Sequence, residues 1–77
     1  MRVKFIIFQT ELLAIFPDEQ FNYWNTKTCT CYAVIGQHGE ISRSRIRCKK
    51  ATKEEYAPLL QELKNIGYDN LIIMNEK

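Results

Sequence analysis

The chain has no apolar run long enough to cross a membrane. Its longest apolar stretches, Phe5 to Phe8 and Leu12 to Phe16, are separated by three polar residues, whereas a transmembrane helix needs roughly 20 apolar residues in succession. Neither an uninterrupted apolar core nor a small-residue cleavage site follows Arg2 and Lys4, which argues against a secretory signal. These absences predict a cytoplasmic protein with no membrane partner.

Cysteine, histidine and glycine are scarce. The three cysteines are an odd number in a chain without an export signal, which predicts reduced thiols and not a disulfide framework. Gly36 and Gly39 do not open a helix as a phosphate-binding loop would, and no serine or cysteine adjoins His38, the single histidine. Because no acid, base and nucleophile converge, we expect no enzymatic activity and no cofactor.

What is present describes one small globular domain, residues 1–77. This length is near the lower limit for a single core. The apolar content of 45% and charged content of 26% are ordinary for globular proteins, which excludes disorder and a membrane protein. There are no internal repeats, linkers or low-complexity tracts.

Four segments rich in β-branched and aromatic residues predict strands. They form two hairpins: Val3 to Phe8 with Leu12 to Phe16, which Pro17 ends, and Thr28 to Ile35 with Glu40 to Cys48. In the third segment the small apolar side chains occupy odd positions, which predicts an inward face of Cys29, Cys31, Ala33 and Ile35. The tetrad Gly36-Gln37-His38-Gly39 is the predicted turn of the second hairpin.

A helix follows. Thr52 is a good N-cap and Glu55 completes a capping box, while Gly67 predicts the stop, with Tyr68 touching Leu63. Pro58 predicts a kink or a loosened first turn. The apolar face at helical spacing comprises Tyr56, Leu59, Leu60, Leu63 and Ile66.

A last buried strand is predicted within Asn70 to Asn75. The element order β-β-β-β-α-β indicates an α+β fold, a small and mainly antiparallel sheet with the helix packed on one face. Leu59, Leu63 and Ile66 would then meet Phe5, Ile7 and Ile35. Which neighbour the last strand pairs with is left open.

A basic run is the first candidate site. Between Ile41 and Lys53 there are six cations and no acid, so the rest of the chain carries a net −4. If the run is extended, Arg43, Arg45, Arg47 and Lys49 share one face about 7 Å apart. Such a row suits the phosphates of nucleic acid or an acidic protein surface. The alternative is a solvated face that keeps the hairpin soluble.

Three aromatic residues in the polar segment from Asp18 to Lys27 are the second candidate site. Phe21, Tyr23 and Trp24 are suited to stacking on bases or to anchoring a protein interface. They are equally suited to folding back over the open face of the sheet. The second reading is favoured for so small a domain.

The remaining polar candidates are Gln37 and His38, which at a hairpin tip would contact a partner. Cys29, Cys31, His38 and Cys48 have the donor types of a zinc site. However, the cysteine pair lies in mid-strand and His38 is about 15 Å away along an extended strand. We therefore expect no metal site and buried cysteines that pack as small apolar residues.

Three stretches resemble a family of short proteins without assigned activity, found in Bacteroides-type gut bacteria and their phages or mobile elements. The stretches are Glu11 to Pro17, Cys31 to Gly39 and Ala51 to Tyr68. Pro58 and Cys29 depart from the family pattern. The resemblance implies a genomic setting and no catalytic activity.

Together these features predict a non-enzymatic protein-interaction module, such as a phage or mobile-element factor that acts on a host protein. The alternative is a nucleic-acid-binding domain that uses the basic hairpin. A sheet edge that pairs with a second copy would also allow a homodimer.

Overall fold

The computed structural model describes residues 1–76 and confirms the predicted α+β class. A five-stranded sheet has the order β4-β3-β2-β1-β5, antiparallel except that β5 runs parallel to β1. Among residues 1–76 there is no helix whose length and apolarity would suit a membrane span. The elements are β1 (Arg2–Phe8), β2 (Glu11–Phe16), β3 (Thr28–Ala33), β4 (Gln37–Ser42), a 3-10 helix (Arg43–Arg47), α1 (Lys53–Asn65), β5 (Ile72–Ile73) and a last 3-10 turn (Met74–Glu76).

The first hairpin forms as predicted. Phe8 pairs with Glu11, so only Gln9 and Thr10 make the turn, both with positive φ (50° and 63°). Positive φ at both central positions is the type I′ geometry that matches the twist of a two-residue hairpin. Strand β2 ends immediately before Pro17, as expected.

The second hairpin turns earlier than predicted. The Gly36 N–H donates to the Ala33 carbonyl at 2.9 Å, and Gly36 has a φ of 89°, a conformation that glycine adopts without a steric cost. The turn is therefore Val34 to Gly36, and the predicted turn over the tetrad beginning at Gly36 is wrong. Gln37 and His38 belong to β4 instead.

The predicted return strand to Cys48 is also wrong. Strand β4 ends at Ser42, which pairs with Thr28 at the very start of β3, so a longer β4 would have no strand to bond. The Ser42 hydroxyl instead caps the 3-10 helix by accepting from the Ser44 N–H at 3.4 Å. We call this helix, Arg43–Arg47, the crossing segment.

The crossing segment passes over one face of the sheet to its opposite edge. The Lys4 amino group donates to the Ile46 carbonyl at 2.7 Å. Beyond the segment, the Lys49 carbonyl accepts from the Ile7 N–H at 2.8 Å, and Lys50 forms an antiparallel bridge with Ile6. The chain thus leaves β4 and reaches the edge of β1 without adding a strand.

Helix α1 follows and lies on the other face. Thr52 and Glu55 form the predicted capping box. The stop is also confirmed, because the Tyr68 N–H donates to the Leu63 carbonyl at 3.0 Å while Gly67 has a φ of 118°. The helix is continuous through Pro58.

The core between α1 and the sheet combines alternate positions of the strands with the apolar side of the helix. Phe5 and Tyr56 stack with ring centroids 4.5 Å apart, and burying each such side chain is worth about 1.5–3 kcal/mol. The prediction that Ile35 and Ile66 belong to this core is wrong, because they are 73% and 49% exposed. Its buried members are Val3, Phe5, Ala14, Phe16, Tyr32, Ala51, Tyr56, Leu59 and Leu63.

A second, smaller cluster lies on the face that the crossing segment covers. Ile6, Leu13, Ile15 and Cys29 are buried there, and Cys48 packs against them. Both faces of β3 are consequently buried. The prediction of a single inward face at odd positions is correct for Cys29 and Cys31 and incomplete, because Tyr32 is also buried on the helix side.

The last strand pairs with β1. Only Ile72 and Ile73 take part, and Ile72 is exposed, so the expected buried strand from Asn70 to Asn75 is shorter than predicted. Asn75 continues the edge with its side chain. Its amide oxygen accepts from the Phe5 N–H at 2.9 Å, and its amide nitrogen donates to the Phe5 and Ala51 carbonyls at 2.7 and 2.9 Å.

Candidate interaction surface

The segment that joins β2 to β3, residues 17–27, is a structured loop, here called the aromatic loop. The Asn22 side-chain oxygen accepts from the Trp24 N–H at 3.0 Å, and the Asn25 side-chain oxygen accepts from the Lys27 N–H at 3.1 Å. Asparagine side chains that bond the backbone two residues on imitate a turn. Two such turns in succession give the loop a defined backbone without regular secondary structure.

Arg43, the first residue of the crossing segment, holds this loop from outside. Its backbone N–H donates to the Lys27 carbonyl at 2.8 Å. Its guanidinium donates to the Thr26 carbonyl at 2.9 Å and to the Pro17 carbonyl. The side chain therefore bridges the beginning and the end of the aromatic loop, so Arg43 is a structural clamp and not the free cation that the sequence suggested.

The aromatic side chains of the loop point into solvent. Trp24 is 92% exposed, Tyr23 is 89% exposed and Phe21 is half-exposed. The favoured expectation that these rings cover the open face of the sheet is wrong for Tyr23 and Trp24. The physical reason is that the crossing segment and Cys48 already occupy that face.

The basic run does not form the predicted row of cations. A 3-10 helix turns by about 120° per residue, so Arg43, Arg45 and Arg47 are not aligned on one side of a strand. The Arg45 guanidinium lies 4.5 Å from the centroid of the Phe8 ring, a cation–π contact. Lys49 follows the segment as an exposed side chain.

In the described part of the chain the cations of this surface form no ion pair, although Lys49 lies near enough to Glu55 to lower the pKa of that carboxyl. Within residues 1–76 the ion pair found is Arg2 with Asp18 at 2.6 Å, at the exposed start of β1. Arg45, Arg47 and Lys49 are all exposed and form none. Their charge remains available to a ligand.

Helix α1 brings negative charge to the other side of the molecule. Glu54 and Glu55 lie in its first turn. A hydrogen bond from the Thr52 backbone N–H lowers the pKa of Glu55, and the charge of Lys49 lowers that pKa further. Helix α1 has a net charge of −1, with three glutamates against two lysines, whereas the crossing segment has three arginines and no acid.

His38 takes part in a polar cluster that the sequence did not indicate. Its Nε2 lies 2.7 Å from the Tyr68 hydroxyl, and its ring meets Tyr32 edge-on at 4.8 Å. The Tyr32 hydroxyl donates to Glu62 at 2.6 Å, and this bond raises the pKa of Tyr32. Residues 30 positions apart come together here, so no local spacing announces the cluster.

The cluster lies on an open surface, since residues 1–76 form no pocket. Burial raises the pKa of Tyr68, whose ring stacks on Phe16 at 4.9 Å. His38 thus has a hydroxyl partner, while the Gln37 side chain is exposed and makes no hydrogen bond within residues 1–76. The cluster joins β4 to the end of α1.

The three cysteines are free thiols. Burial raises the pKa of Cys29 and of Cys31, which keeps both thiols protonated and unreactive. Cys48 is half-buried against the same cluster as Cys29. In the part of the chain that the structure describes, no three histidine, cysteine or acidic side chains are grouped as metal ligands.

Comparisons with known protein families, curated proteins and solved structures give no significant match. The resemblance to short proteins of Bacteroides-type bacteria and their mobile elements stays a prediction. The function must therefore be argued from the surface itself.

Proposed function

We propose that this protein is a non-enzymatic protein-interaction module and that the aromatic loop is the centre of its contact surface. The observation that carries the proposal is the near-complete exposure of Tyr23 and Trp24 on a backbone fixed by Arg43 and two asparagine turns. Tryptophan, tyrosine and arginine dominate the energetics of protein interfaces. A loop that is ordered beforehand loses little conformational entropy on binding.

The polarised charge supports a protein partner with an acidic border. Arg47 and Lys49 would form the rim of the interface, where complementary charge speeds association and selects the partner more than it adds affinity. The genomic setting implied by the resemblance makes a host protein in the cytoplasm the natural partner. The module would act by occupying a surface and not by chemistry.

The size of the expected effect follows from Trp24. A tryptophan side chain buries about 150–250 Å², which is about 4–6 kcal/mol at 25 cal/mol per Å². Ordering and imperfect packing offset part of this gain. Trp24→Ala should therefore weaken binding by about 2–4 kcal/mol, roughly 30- to 1,000-fold in Kd.

The test is affinity capture from the source cells, read by mass spectrometry with and without nuclease. The wild-type chain should retain a protein that survives nuclease and that Trp24→Ala and Tyr23→Ala both lose. Ile72→Ala is the matched control, because Ile72 is 61% exposed and lies on β5, which β1 separates from the two strands that the aromatic loop joins.

Binding by the purified partner then gives the decisive measurement. Isothermal titration should show the loss for Trp24→Ala and an unchanged Kd for Ile72→Ala. A partner that binds both variants equally would disprove the role of the aromatic loop. Trp24→Ala should leave the free energy of unfolding within about 0.5 kcal/mol, because the removed ring has almost no intramolecular contact.

Nucleic acid is the second candidate partner. The unpaired cations favour it, and exposed aromatic rings can stack on bases, although the row of four aligned cations is lost. With Arg45, Arg47, Lys49 and Lys50 on phosphates, log K should fall with log salt with a slope of about −3 for a single strand. An electrophoretic shift at low salt that Arg45→Glu with Arg47→Glu abolishes would support this alternative, and a salt-independent shift would remove it.

A further inference from the structure

The outer edge of β4 is open. The odd-numbered residues of β4 direct their N–H and C=O groups toward β3, because the N–H of Arg43, one residue beyond the strand, donates to the Lys27 carbonyl. The direction of the hydrogen bonds alternates from residue to residue along a strand. His38 and Glu40 therefore direct their N–H and C=O groups away from the sheet. Nothing in residues 1–76 meets these four groups.

On the opposite side of the sheet the edge of β1 is covered, and the edge strand beyond it, β5, has only two residues. Strand β5 covers the start of β1, the Asn75 amide bonds Phe5, and the Lys49 carbonyl accepts the Ile7 N–H. An edge with free groups at regular spacing is a template for another strand. The fold thus protects one edge and leaves the other available.

We infer that β4 pairs antiparallel with β4 of a second copy, about a two-fold axis that passes beside Gly39. Residues whose backbone N–H and C=O groups point away from the sheet must lie opposite each other for hydrogen bonds to form between the two copies. This condition limits the number of symmetric registers. In this register His38 of each copy lies opposite Glu40 of the other, so an imidazole faces a carboxylate twice. The neighbouring registers place His38 opposite His38 or Glu40 opposite Glu40, so both lose the two imidazole–carboxylate pairs, and carboxylates directly opposite each other destabilise a strand pair.

The local geometry suits this register. Each of the two His38–Glu40 pairs exchanges both of its backbone hydrogen bonds, and between them Gly39 faces Gly39 in a non-bonded pair, where antiparallel strands come closest. Glycine adds no side chain to that approach. Gly36 then lies opposite Ser42, which brings the exposed Ile35 against the other copy. The product is a continuous two-fold sheet with both helices on one side.

The proposal is independent of the aromatic loop and is tested by sedimentation equilibrium of the whole chain over a wide concentration range. The wild type should dimerise reversibly. His38→Glu sets carboxylate against carboxylate in both pairs and should raise the dimer Kd about tenfold. The double variant His38→Glu with Glu40→His has the composition of the wild type and should restore the Kd.

The double variant separates pairing from folding. It loses the bonds of His38 to Tyr68 and of Glu40 to Thr28, so a purely structural effect would make it worse than the single variant. A wild-type chain that stays monomeric at every concentration overturns the proposal. So does an equal Kd for the single and double variants, or a tighter dimer with Glu40→His alone, which would indicate the Glu40–Glu40 register. Circular dichroism confirms that each variant is folded.

Discussion

Replacement of Asn75 by alanine should destabilise the domain more than its position after the last strand suggests. The Asn75 amide makes three hydrogen bonds, two with Phe5 and one with the Ala51 carbonyl. Phe5 is fully buried, and its N–H points to this edge and not to β2. After the substitution that N–H has no acceptor, while the Phe5 carbonyl keeps the Ala51 N–H at 2.9 Å.

The magnitude follows from these bonds. An unsatisfied buried N–H costs about 1–3 kcal/mol, and each further hydrogen bond contributes about 0.5–1.5 kcal/mol net. The sum for Asn75→Ala, one unsatisfied N–H and two lost hydrogen bonds, is about 2–6 kcal/mol. A chain of this length has a total stability of about 4–12 kcal/mol, so the loss is a large fraction of the whole.

Urea unfolding followed by far-ultraviolet circular dichroism measures the effect. At an m value near 1 kcal/mol/M the midpoint should fall by about 2–6 M with m unchanged. Asn65→Ala is the matched control, because the Asn65 side chain only accepts one exposed hydrogen bond, from the Gln61 amide. The loss of that bond should cost about 0.5 kcal/mol or less. Asn75→Asp should recover little, since an oxygen would then face two carbonyls. Equal midpoints for Asn75→Ala and Asn65→Ala would refute the reasoning.

Three further perturbations test other features. Thr10→Gly should raise the free energy of unfolding by about 1 kcal/mol, because a β-branched residue at a φ of 63° is strained and glycine is not; an unchanged urea midpoint would contradict this. Arg43→Ala should cost about 1–3 kcal/mol and should increase amide exchange throughout the aromatic loop, together with a lower fluorescence anisotropy of Trp24; unaltered exchange would show that the clamp is dispensable. Glu62→Gln replaces the charged acceptor of the Tyr32 hydroxyl with a neutral amide oxygen, which weakens the interaction that raises the pKa of Tyr32, so phenolate absorbance should show that pKa falling. Because the raised pKa stabilises the fold below the unfolded value and the stabilisation is lost as pH rises through the folded value, the variant should lose less stability than the wild type on going to alkaline pH.

The helix was predictable because its signals are local. The Thr52–Glu55 capping box and the stop at Gly67 each span only a few residues, and the structure confirms both. The first hairpin was equally predictable from two apolar runs with three polar residues between them and Pro17 after them. In each case one short stretch of sequence determines the geometry.

The crossing segment was not predictable from its own residues. Alternating serine and arginine satisfy a strand pattern, yet β4 can extend only as far as its partner, and β3 begins at Thr28. The limit depends on the position of the turn, because a turn at residues 34–36 pairs Thr28 with Ser42, whereas a turn at residues 36–39 would have paired it with Arg47. The wrong expectation for Trp24 followed from the same error, since the face that Trp24 was expected to cover is occupied by the chain after Ser42.

Two features depended on contacts between distant residues. The last strand pairs with β1 through Ile72 and Ile73, and the Asn75 side chain extends this contact to Phe5. The polar cluster depends on His38 reaching Tyr68. Neither involves a pattern that repeats along the chain. Such contacts are decided by the finished packing and not by local propensity.

Because Arg43 holds the aromatic loop in place, the binding that we propose for this loop depends on complete folding of the chain. The carbonyls that accept from the Arg43 guanidinium lie in the loop between β2 and β3. The backbone that follows the crossing segment is hydrogen-bonded to β1 through the Ile7 N–H. A chain arrested with isolated hairpins would lack this arrangement and would show a partner only a loose aromatic segment. A partner that binds at Trp24 should therefore bind the folded protein in preference to the unfolded chain. By mass action it should then raise the melting temperature of the domain.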